Sequence, residues 1–176
     1  MSRNPLPEPR PEPPPGLPPG PETAPTPTPT PTPTPAPELE PAPPEGFVPH
    51  FRKSPLTAPW EPLFSRRTAQ SVQIGLHIRE AHCNSRGFVH GGLISALADN
   101  AMGMSAGQQA QQTEGKERRP VTINLAVDFT GSGQVGQWLS FEPRVLKITR
   151  TLAFVDCVVL ADDAMLARAN ATFRLG

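Results

Sequence analysis

The chain has 176 residues with 16 basic and 16 acidic side chains, and this charge balance removes the electrostatic case for a nucleic-acid partner. Its two cysteines, Cys83 and Cys157, are too few for a disulfide framework and wrongly spaced for a zinc site. No apolar run approaches the ~20 residues that a membrane span needs.

Of the 26 prolines, 21 precede Phe51, and a Thr-Pro repeat runs from Thr26 to Pro35. Residues 1–49 hold almost no aliphatic side chains, and six glutamates there face two arginines. Such a stretch cannot bury a core, so it is expected to be a disordered arm with local polyproline II character, either a spacer or a ligand for a proline-recognising partner. No apolar segment follows the first basic residue as in a secretory leader, which makes a cytoplasmic location the expectation. The folded part is residues 50–176.

Pro55, Pro59 and Pro62 surround Trp60, Leu63 and Phe64, so Ser54 to Arg67 reads as a lead-in without continuous regular structure. Val72, Ile74, Leu76 and Ile78 then alternate with polar or small residues as one strand. After His90-Gly91-Gly92, Leu93, Leu97, Ala101 and Met104 recur at helical spacing with Ile94, Ala98 and Met102 beside them. The apolar stripe is broad enough for a buried helix reaching about Gln109, followed by a polar loop from Gln111 to Arg119. Between Arg86 and Glu114, Asp99 is the one formally charged side chain. A buried carboxylate costs free energy unless it is paired, hydrogen-bonded or protonated.

From Thr122 to Phe129, Ile123, Leu125, Val127 and Phe129 alternate with Thr122, Asn124, Ala126 and Asp128, and Gly131-Ser132-Gly133 closes the strand. Gln137 to Ile148 contains Pro143, which signals a bulge or an edge. Thr151 to Ala161 is apolar on both faces and central, and Asp162-Asp163 turns into a last strand from Met165 to Leu175. Short turns make neighbouring strands antiparallel. The expected class is α+β, one helix covered by one curved antiparallel sheet.

His90-Gly91-Gly92 opens the helix, where backbone N–H groups are free, the dipole is positive and glycine lets a carbonyl approach closely. That is the making of an oxyanion hole. At ~1.5 Å rise per residue Asp99 lies too far along the helix to act on a carbonyl bound at Gly91 of the same chain. Each residue also has a plainer reading: a structural carboxylate at Asp99, a loop brace at His90, a turn cap at Asn84, an ordinary strand threonine at Thr122, relief of crowding at Gly91 and Gly92. Cys83 is a candidate nucleophile by position, but nothing near it in sequence supplies a catalytic base, and a passive thiol fits better.

Asn84, His90-Gly91-Gly92 and Asp99 nine residues past the histidine, then Val121 to Leu125, then Lys147-Ile148-Thr149-Arg150-Thr151-Leu152-Ala153-Phe154, resemble the hotdog-fold acyl-CoA thioesterases of the phenylacetate-pathway (PaaI) type over about Ser54 to Leu175. The resemblance implies hydrolysis of an acyl-CoA to a carboxylic acid and CoA, without metal or organic cofactor, in a homodimer or dimer of dimers. It implies a thioester oxygen on the Gly91 amide, oriented by Asn84 and His90, and Asp99 of the other subunit as general base or nucleophile, with Thr122 placing the water. It further implies CoA contacts from Gly92, Asn124, Phe129, Lys147, Arg150 and Thr151. Gly131-Ser132-Gly133 departs from the proline-containing loop common in such proteins. A non-catalytic acyl-CoA-binding hotdog protein and a hotdog hydratase are the rival readings.

Overall fold

A computed structural model describes residues 41–176. The expected arm falls largely outside them. Seven antiparallel strands form one sheet in the order β1-β2-β3-β5-β6-β7-β4. They are β1 (Val48–Pro49), β2 (Phe64–Arg67), β3 (Val72–His77), β4 (Pro120–Phe129), β5 (Trp138–Ile148), β6 (Leu152–Ala161) and β7 (Ala164–Leu175), and the helix α1 (Gly91–Glu114) comes between β3 and β4 in the chain. The sheet curves over this helix, as the hotdog fold requires.

The core lies between helix and sheet. Leu93, Ile94, Leu97, Ala98, Ala101, Met102, Ala106 and Ala110 of α1 are buried against Ile74, Leu76, Leu139, Phe141, Val155 and Phe173 of the strands. Ala167, Ala169 and Ala171 keep β7 low enough for the helix to approach. Ser105, fully buried, takes the amide of Val72 at 2.9 Å and donates to the carbonyl of Ala101 at 2.8 Å, tying α1 to β3. Gly115 ends the helix in the left-handed conformation at φ 69°. The helix therefore runs five residues past Gln109, and the polar loop shrinks to Gly115–Arg119, because glutamines and threonine continue an exposed helix at little cost.

Several other expectations change. The lead-in contains β2, whose Phe64 and Ser65 pair with Gly75 and Ile74; neighbouring prolines hide its alternation. Phe47 is buried with its ring 5.1 Å from that of Trp138, and Val48 pairs with Ser65, so ordered contacts begin before residue 50. Pro143 sits in β5 paired with Cys157 on one side only; it marks no bulge, but it does hold the expected edge position on its other side. The ladder between β3 and β5 ends at Ile74 and Phe141, so on that side the missing N–H of Pro143 has no ladder bond to donate. The bulge comes later, between Val145 and Lys147.

Cys157 is 1% exposed, and burial pushes its thiol up to about 12, whereas Cys83 is half-buried and raised less by burial and by Glu80. Neither thiol is activated as a nucleophile. A thiol reagent at pH 8 is expected to label the native chain slowly at Cys83 and to reach Cys157 only in denaturant; mass spectrometry of the labelled peptides reads both. No helix among the described residues is long and apolar enough to cross a membrane.

Candidate active site

The helix start is built by its own cap. His90 is the N-cap, and its Nδ1 accepts the Gly92 N–H at 2.9 Å. An accepting Nδ1 in a neutral ring leaves Nε2 as the donor. Gly92 therefore spends its amide on the cap, while Gly91, at the first helical position, makes no such bond. A Cβ on Gly91 would stand 3.1 Å from Cζ of Phe129, so the ring of that residue packs on this corner of the helix.

Asn84 organises the loop that leads in. Its Oδ1 accepts the amides of Arg86 at 2.9 Å and Phe88 at 3.3 Å, which orients the side-chain amide so that its N–H groups face away from the loop. The loop folds back through a Cys83–Val89 bridge and a bond from the His90 amide to the His82 carbonyl. The Val89 amide bonds Gly133, at a spot where a Cβ would meet Ile78 and Leu166 at 2.9 Å. A side chain at 133 would therefore crowd these buried residues where the loop that carries Asn84 closes.

Asp99 is half-buried, not buried, and faces a cleft rather than the core. Thr122 of β4 donates its hydroxyl to Asp99 Oδ1 at 2.7 Å. Strict alternation would have turned Thr122 away from the helix with Asn124 and Asp128. A bulge between Thr122 and Asn124 reverses this: Thr122 pairs with the inward Phe173, Asn124 with Thr172, and the extra residue Ile123 is left 57% exposed. The bulge is the local cause of the Asp99–Thr122 contact. Substituting Thr122 by Val is expected to lower kcat about 10- to 100-fold, since a hydrogen bond to a charged group is worth about 1.5–3 kcal/mol, while Thr122→Ser keeps activity. Steady-state kinetics of the pair checks this.

A cleft of about 540 Å³ joins Gly92, Ser95 and Ala96 to Asp99, Asn100 and Thr122, with Arg52 and the lead-in residues Ser54 and Leu56 as one wall. A second of about 620 Å³ continues from Asp99 along the helix over Gly103 and Gly107 to Phe173. A larger hollow of about 1110 Å³ around Glu142, Arg144 and Asp156 contains none of the predicted residues, and its charges are partly spent on the Arg144–Asp156 ion pair. The lead-in wall and Asn100 were missed in the sequence. Nothing periodic marks residues 52–56, and an asparagine on a helix has no signature of its own.

One chain thus holds two groups. Asn84, His90, Gly91, Gly92 and Phe129 gather at the helix start; Asp99 and Thr122 stand eight residues, ~12 Å of helix, further on. Lys147 pairs with Phe154, Phe154 with Thr172 and Thr172 with Asn124, so Lys147 and Asn124 share one row on the face of the sheet turned from the helix. Arg150 and Thr151 lie in the exposed β5–β6 turn at the end of that row. Asp99 lies on the opposite face. A single substrate meets both only at the β4 edge or through a second copy.

The hotdog fold, with a carboxylate lining a cleft on its central helix, sets the class of protein to compare. Comparison with known proteins agrees with that class. Residues 86–167 match the thioesterase superfamily. A Pseudomonas aeruginosa protein named as an esterase is 38% identical over 133 residues, 75% of this chain and 96% of that protein. Human acyl-coenzyme A thioesterase 13 is 28% identical over 103 residues, 57% of this chain and 70% of its own. Among solved structures, a mutant of the phenylacetic acid degradation protein PaaI from Thermus thermophilus superposes with TM-score 0.56 at 18% identity, covering 64% of this chain and 91% of that one. The chain belongs to the thioesterase superfamily, and by class it is a thioester hydrolase.

Proposed function

We propose that the protein hydrolyses an acyl-CoA to a carboxylic acid and free CoA at a site shared by two copies of the chain. The observation that carries this is the Asp99 carboxylate, held by Thr122 in a cleft that opens toward the helix start. The thioester oxygen takes the free Gly91 amide, with Nε2–H of His90 and the side-chain amide of Asn84 as further donors. Polarisation of this kind is worth about 2.7–4 kcal/mol per donor in other hydrolases. Asp99 of the second copy removes a proton from water, or attacks the carbonyl itself, and Thr122 orients the participant.

The dimer has a physical basis in β4. It is the last strand of the sheet, ten residues long, with one edge unpaired and Val121 and Ile123 51% and 57% exposed. Such an edge is a template for pairing with another copy. Pairing there sets two helices side by side, and antiparallel helices place Asp99 of each near Gly91 of the other.

The nucleotide half of CoA is assigned to the row of Lys147, Phe154 and Asn124 with Arg150 and Thr151 at its end. Cations there suit phosphates, and the Phe154 ring, 37% exposed, suits the adenine face. Human acyl-coenzyme A thioesterase 13 carries the same chemistry in its name. Release of free thiol from a panel of aliphatic and aryl acyl-CoAs tests the reading: turnover that disappears in Asp99→Ala supports it. Binding of acyl-CoA without turnover in the parent chain would instead make it a non-catalytic binding protein.

A further inference from the structure

Both clefts that meet at Asp99 share four side chains: Arg52, Asp99, Asn100 and Thr122. Asp99 and Thr122 are bonded to each other. In the smaller cleft Ser95 donates to the Gly91 carbonyl at 2.9 Å and Ser54 bonds Thr57 at 3.0 Å. Arg52 and Asn100 are left: among the described residues neither makes a hydrogen bond or an ion pair, although Asp99 lines the same cleft.

The segment that presents Arg52 is fixed on both sides. The His50 amide bonds the Leu63 carbonyl at 2.8 Å, and the Phe51 ring holds the Arg67 guanidinium 4.1 Å from its centroid. Lys53 pairs with Glu61 at 2.7 Å, and Ser54 and Thr57 close a turn. An exposed guanidinium that lines a cleft without a hydrogen bond or ion pair, with an asparagine side chain lining the same cleft, is a donor set for an anionic oxygen. The apolar part of the wall is short, Leu56, Ala96 and Leu125.

We propose that Arg52 and Asn100 form an anion-recognising subsite beside Asp99 that selects the substrate. This rests on the thioester-hydrolase reading of the same cleft. The anionic oxygen belongs to a carboxylate at the far end of a short acyl group, because the phosphates of CoA lie a pantetheine arm away from the thioester and fall to the Lys147 row on the other face of the sheet.

The test is calorimetric binding of non-hydrolysable thioethers to the full chain: S-butyl-CoA, S-(3-carboxypropyl)-CoA, and the same two groups on pantetheine, which lacks phosphate. The parent, Arg52→Gln, Arg52→Lys and Asn100→Leu are compared. Arg52 is exposed, so Arg52→Gln is expected to fold, and an unchanged melting temperature checks it. If the anion is the acyl carboxylate, the parent binds both carboxypropyl ligands about tenfold tighter than the butyl ones; Arg52→Gln abolishes that ratio, Arg52→Lys partly restores it and Asn100→Leu reduces it. Weakening of both CoA ligands about tenfold by Arg52→Gln, with neither pantetheine ligand affected, would put a phosphate at Arg52 and overturn the acyl-carboxylate subsite. Equal affinities in parent and Arg52→Gln across all four ligands would overturn the subsite. Thiol release by the parent chain is measured in parallel, so loss of the hydrolase reading shows there and not in these affinities.

Discussion

Replacing Asp99 by Asn is expected to lower kcat for acyl-CoA hydrolysis by about 10²- to 10⁴-fold, the range supplied by a positioned general base. The substitution is nearly isosteric, and its Oδ1 still accepts the Thr122 hydroxyl that now lies 2.7 Å from the carboxylate. What it removes is the capacity to take a proton or to attack carbon. The melting temperature should stay level or rise, because a partly desolvated charge is lost with no contact. A fall of less than tenfold in kcat would reduce Asp99 to a structural carboxylate.

Phe173→Ala should be the most costly single change to the fold near the site. The side chain is 2% exposed, packs where a Cβ on Gly103 would stand 3.3 Å from its ring, and pairs across the ladders with Thr122 and Ala153. Truncating a buried Phe costs about 3–5 kcal/mol in lost burial and cavity. Against a total stability of about 5–15 kcal/mol that is a large fraction, read as a drop in the urea midpoint. Activity should fall too in samples still folded, because the ring floors the cleft beneath Asp99. Phe173→Leu should recover much of both; a midpoint unmoved by the alanine would show that the contact between helix and β7 contributes little.

The central helix, the four strands after it and the pairing of neighbouring strands were legible in the sequence, since each rests on a period that side-chain burial imposes. The clearest signal was Asp99, isolated among apolar and small residues. Local irregularities were not legible. The bulge at Ile123 looks like unbroken alternation, yet it alone turns Thr122 toward the helix. The wall formed by Arg52 to Leu56 reads as a proline-rich connector, because its geometry comes from the Lys53–Glu61 pair and the Ser54–Thr57 turn rather than from any pattern. The cap at the helix start was not legible either: the Gly92 amide bonds His90 Nδ1, a contact that no spacing announces.

A site split between two chains is tested most directly by mixing two inactive variants. Gly91→Pro deletes the proposed donor with little strain. Proline is tolerated at the first helical position, and His90 at φ −72° and ψ 129° already has the backbone that precedes proline. The exposed Phe129 ring can yield to the added atoms. Gly91→Pro and Asp99→Asn, each near-inactive alone, are co-refolded in equal amounts and assayed for thiol release. Random pairing makes half the dimers mixed, each with one intact site, so about a quarter of wild-type activity should return. Mixed dimers with no activity above the separate variants would place Gly91 and Asp99 in the same chain's site and contradict the account.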